Sequence, residues 1–93
     1  MRLIDFNRST LDLHPALKLY WEVDHHLQAI VDLQPAKHQQ LVLVSGPGQP
    51  LTLDQFRARS QQSDPHASLF MANENAPIRL YGYRLVPHQI LLG

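Results

Sequence analysis

Two hydrophobic periods overlap between Leu11 and Leu33. The odd positions run Leu11, Leu13, Pro15, Leu17, Leu19, Trp21, Val23, His25, Leu27, Ala29, Val31 and Leu33, ten of twelve of them apolar, and most even positions are polar. Strict alternation of this kind is a strand signal. The same segment also fits a helix, because at about 100° per residue Leu13, Ala16, Leu19, Tyr20, Val23, Leu27, Ile30 and Val31 share one stripe roughly 120° wide. Two local features favour the helix. A strand pair would have to turn at Asp24-His25-His26, where neither Gly nor Asn supplies a left-handed residue. Asp12 is placed to cap a helix with Pro15 in its first turn, and Pro35 stands just past its end. A long helix is therefore predicted over residues 13–33.

Shorter patterns place the remaining elements. Arg2 to Phe6 reads as a short strand and Asn7 to Thr10 as a turn. Gln40 to Ser45 is a nearly continuous apolar run that stops at Gly46-Pro47-Gly48, the pattern of a buried central strand. Thr52 followed by Gln55 is a capping box, and Leu51 with Phe56 fits a hydrophobic staple, so a helix is predicted from Leu53 to about Gln62, ended by Ser63-Asp64-Pro65. Ala67 to Ala72 and Ile78 to Val86 read as an antiparallel hairpin around Asn73-Glu74-Asn75, and His88 to Leu92 as an added edge. No internal repeat is read in this pattern. Together these elements predict a two-layer α+β domain, with a small mixed or antiparallel sheet of about four to five strands, one long helix and one short one.

Composition narrows the classes. The chain has 93 residues, eight Lys and Arg against eight Asp and Glu, and no cysteine. That length fits a single domain, 1–93, with a thin core that a second copy of the chain could supplement, so a homo-oligomer is expected. Zero net charge argues against a bulk electrostatic grip on nucleic acid. The absence of cysteine excludes disulfides, thiolate zinc sites and cysteine nucleophiles. Neither a leader pattern nor an apolar stretch of about 18 residues is read, so a cytoplasmic location with no membrane partner is expected.

Candidate chemistry is sparse. Glu22, His25 and His26 form the densest set of metal-ligating types, and on a helix Glu22 and His26 share a face, yet two or three ligands fall short of the usual zinc set. Arg79, Tyr81 and Tyr83 would project from one face of a strand beside Arg84, the parts of a stacking platform for single-stranded nucleic acid. Trp21 falls outside the helical stripe, and Ile90, Leu91 and Leu92 make an apolar tail that would fray unless it docked. No nucleotide, phosphate or other cofactor motif is present, since Pro47 and Pro50 remove amides that a phosphate loop would use. The reading is a non-catalytic interaction module that contacts a protein partner or its own copy through Trp21, Tyr81, Tyr83, Ile90, Leu91 and Leu92. Single-stranded nucleic-acid binding and metal-dependent hydrolysis stand as alternatives.

Overall fold

A computed structural model describes residues 1–93. Two short helices and seven strands follow one another as α1 (Leu3–Ser9), β1 (Lys18–Val23), β2 (His26–Ala36), β3 (Gln40–Ser45), α2 (Leu53–Ser60), β4 (Ser68–Met71), β5 (Ile78–Arg79), β6 (Tyr83–Val86) and β7 (Gln89–Leu92). The strands form one mixed sheet in the order β5-β4-β3-β2-β1-β7-β6, curled into a half-barrel. This corrects the predicted four-to-five-stranded sheet under one long helix. The outer strands β5 and β6 are successive pieces of chain, so Leu80, Tyr81 and Gly82 link the sheet's two outer strands without pairing them. There Leu80 donates its N–H to the Leu69 carbonyl at 3.0 Å, and Gly82 and Gly93 exchange backbone hydrogen bonds of 3.2 and 3.1 Å.

The predicted long helix is a hairpin. Strands β1 and β2 pair antiparallel through Tyr20↔Ala29 and Val23↔His26, and the chain turns at Asp24 and His25, whose φ angles are +50° and +64°. Two consecutive left-handed residues are what a tight two-residue hairpin requires; Asp and His adopt them without the Gly or Asn that the pattern led one to expect. Leu19 and Trp21 face inward, as the alternation indicated. The register then shifts between Ile30 and Asp32, so that Ile30 before the irregularity and Leu33 after it both pack inward. A one-residue insertion of this kind reverses the phase of alternation, and the resulting spacing of apolar positions imitates a helical stripe. The predicted strand at Arg2–Phe6 is likewise a helix, since Leu3, Phe6 and Thr10, at helical spacing, are the buried positions.

The molecule contains an internal duplication that the sequence reading did not find. Positions 1–36 correspond to positions 51–86 at an offset of fifty, and after a turn one residue shorter β3 corresponds to β7. Leu3 matches Leu53, Phe6 matches Phe56, Pro15 matches Pro65 and Leu19 matches Leu69. The hydrogen bonds repeat with them. Leu3 donates its N–H to Ala67 and Leu53 donates to Leu17, each at 2.8 Å, while Leu69 donates to Met1 at 2.8 Å and Leu19 to Leu51 at 2.9 Å. Ile30 and Leu80 accept from Leu51 and Met1 at 2.8 and 2.9 Å. Strand β2 of the first half is represented in the second by β5 and β6 together.

The halves are interlocked. Strand β1 runs parallel to β7, and β4 runs parallel to β3, so each half's first strand is completed by the other half's last. The core lies where the two copies meet, with the Phe6 and Phe56 rings edge to face at 5.2 Å and Phe6 against Tyr83 at 5.5 Å. A second copy of the core is therefore supplied within the chain, which answers the thin-core problem posed by its length. Neither helix is long and apolar enough to cross a membrane.

Candidate functional site

Several residues singled out in the sequence are built into the interior. Ile90, Leu91 and Leu92 are buried, because β7 lies between β1 and β6 rather than at an edge. Trp21 is only 8% exposed and belongs to the core, with one side on a surface cleft that also holds Asp24 and Glu74. The two observations that suggested an association surface, a projecting Trp21 and a loose apolar tail, are absent from the folded chain.

The Tyr and Arg residues are not gathered into a stacking face. Tyr83 turns inward onto Phe6, and its hydroxyl donates to Ser9 Oγ at 2.9 Å. Arg79 lies over the Phe70 ring at 5.9 Å, and Arg84 makes a two-pronged ion pair with Glu22 at 2.9 and 2.6 Å. Tyr81 alone stands free, 78% exposed. The same ion pair removes Glu22 from the proposed metal set, and no three His, Asp or Glu side chains converge anywhere in the chain. The hydrogen bonds from Arg84 hold the Glu22 carboxyl below its ordinary range; the His66 N–H and the Gln39 amide do the same for Asp64.

The largest cleft, about 590 Å³, lies between the two helices. Its position follows from helical spacing. Leu3, Asn7 and Leu11 recur every four residues along α1 and its end, while Asp54, Arg57, Ala58 and Gln61 share one face of α2. Ser60, Ser63 and Pro65 close the floor where α2 ends. α2 is held in place by its capping box, with Gln55 N–H donating to Thr52 Oγ1 at 3.2 Å and Thr52 N–H donating to the Gln55 side chain at 3.0 Å.

One polar atom in this cleft lacks a partner. Asn7 Oδ1 is shielded from solvent and accepts no hydrogen bond. The corresponding residue of the second half, Arg57, does have a partner: its Nη2 crosses to α1 and donates to the Thr10 carbonyl and, at 3.1 Å, to Thr10 Oγ1. None of these cleft residues stands out in a motif. At the fifty-residue offset only Leu3, Phe6, Pro15 and Leu19 have identical counterparts, so the sequence does not single these residues out; it is the repeated hydrogen-bond pattern that aligns Asn7 with Arg57 and Thr10 with Ser60.

Comparison with known protein families, with characterised proteins and with solved structures finds no match to this chain.

Proposed function

We propose that this chain is a non-catalytic protein-interaction module whose recognition site is the cleft between α1 and α2, entered by a side chain of the partner. The observation that carries this reading is the cleft of about 590 Å³ itself, which lies where the Arg57 bridge to Thr10 has no counterpart because the short Asn7 stands in the arginine's place. The lining supports the same reading. Apolar Leu3, Leu11 and Pro65 offer shape, and Asp54, Ser60 and Gln61 offer a few placed polar groups, the mixture typical of sites that orient what they bind.

The test is amide-resolved NMR during titration with short peptides that differ in one central side chain. Shifts confined to residues 7–11 and 54–65, lost in an Asn7→Leu variant that remains folded, are the expected result. Shifts centred on Tyr81 or on the Asp24 and Glu74 cleft would place recognition elsewhere.

A further inference from the structure

Resting on that reading, we infer that the side chain accepted by the cleft is an arginine, because the molecule already displays the filled version of the same site. In the second half's version, the Arg57 guanidinium donates to the carbonyl and hydroxyl of Thr10, the last residue of the α1 turn. That carbonyl also accepts the Leu13 N–H at 3.1 Å. Its counterpart, the Ser60 carbonyl at the end of α2, accepts the matching Ser63 N–H at 2.9 Å and has no second donor. The Ser60 hydroxyl donates to the Arg57 carbonyl at 3.4 Å and accepts from nothing.

The residue that would complete the match is Asn7, three bonds too short to do so. An arginine at this place would carry its guanidinium across to Ser60; asparagine stops at the near wall, and the cleft occupies the remaining space. A further difference favours a cation arriving from outside. Asp54, which lines the cleft, has Ile4 as its counterpart, so a carboxylate stands only on the open side, and Arg57, the cation in the same lining, is already bonded to Thr10. Asp54 takes part in none of the ion pairs of the fold. A guanidinium has five donors in a planar fork and can serve Ser60 and Asp54 together, which an ammonium does with poorer geometry.

The decisive comparison is NMR titration of the full chain with N-acetyl-arginine amide and with its neutral isostere N-acetyl-citrulline amide. The arginine compound is expected to shift Asn7, Ser60, Gln61 and Ser63 and to bind at least about tenfold more tightly than the citrulline compound, since charge-assisted hydrogen bonds are roughly twice as strong as neutral ones. An Asn7→Arg variant, filling the cleft from within, is expected to lose that binding. An Arg57→Ala variant opens the second version of the site and is expected to bind two molecules per chain, the second reported by Thr10 and Leu13. Should that variant fail to fold, the Asn7→Arg result decides. Equal binding of the citrulline compound overturns the arginine assignment while leaving the cleft as a binding site. No shift in the cleft with either compound or with the peptides overturns both readings, and shifts at Asp24 and Glu74 assign the cation to the other cleft.

Discussion

The two halves of this protein solve one folding problem with different side chains. Both place a Leu and a Phe on the inner face of a short helix, a Pro before the first strand and an alternating strand behind it. They diverge at the helix surfaces. α2 has a capping box at Thr52 and an arginine that bridges to its partner helix, while α1 begins at Arg2 without a side-chain cap and carries the short Asn7 in the arginine's place. They diverge again in the long strand. β2 continues through a register shift at Ile30, whereas its counterpart breaks at Leu80–Gly82 into β5 and β6. Duplication thus fixes the core, where the copies must interdigitate, and leaves the helix faces free to differ. The cleft lies on the side where the polar bridge between helices is missing.

Substitutions at matched positions test that division, most severely in the shared core. Phe6 and Phe56 are both fully buried, and either Phe→Ala change is expected to cost about 3–5 kcal/mol in denaturant unfolding. Phe6→Ala should be the larger loss, because Tyr83 also packs on that ring. Equal losses would mean that the Tyr83 contact adds nothing. At the helix faces the halves should behave oppositely. Arg57→Ala removes charge-assisted bonds to Thr10 and is expected to cost about 1.5–3 kcal/mol, whereas Asn7→Ala removes an unpartnered oxygen and should leave stability unchanged or raise it. A sizeable loss from Asn7→Ala would reveal a partner for its amide.

The caps should separate the halves more gently. Thr52→Ala is expected to cost about 1 kcal/mol in the same assay. Arg2→Ala, at the matching position, loses an exposed ion pair with Asp5 and an exposed hydrogen bond to His66 Nδ1 and is expected to cost at most about 0.5 kcal/mol. The smallest effect concerns pH. Glu22, Asp5 and Asp64 are all held below their ordinary values by hydrogen bonds formed only in the fold, from Arg84, from Arg2, and from His66 and Gln39. A depressed carboxylate stabilises the fold above its unfolded pKa, 4.5 for Glu22, and that contribution is lost as pH falls through the lower folded value. Glu22→Gln should therefore lower the thermal midpoint slightly at pH 7 and converge with the parent protein on acidification well below pH 4.5, flattening part of the fall.

Legibility of the sequence varied with how local the controlling interaction is. β3, α2 with its capping box and β4 stand close to where their patterns put them, because a continuous apolar run and a cap are signals complete within a few residues. Residues 13–33 misled for an identifiable reason. The apolar positions Leu19, Val23, Leu27, Ile30 and Val31 have helical intervals only because a turn and a register shift interrupt two strands. β7 was legible as a strand but not as an interior one, since its neighbour β1 lies some seventy residues earlier in the chain. The cleft was invisible for a related reason: Asn7 and Asp54 mean nothing singly, and acquire meaning through the counterpart at position 57 and the closing of one helix on the other.

By itself the sequence determined which residues cap and alternate, while the fifty-residue repeat left only four identical pairs, at Leu3, Phe6, Pro15 and Leu19 and their counterparts, and became visible through the repeated hydrogen bonds. The tertiary structure decided that each half's first strand is completed by the other half's last, that Trp21 and Leu92 are core, and that Arg57 spans to Thr10 while Asn7 leaves a cleft. Backbone propensity and hydrophobic period act over a turn or a few residues. Strand pairing and helix contact join residues far apart in the chain, and only there is it settled which buried polar group finds a partner.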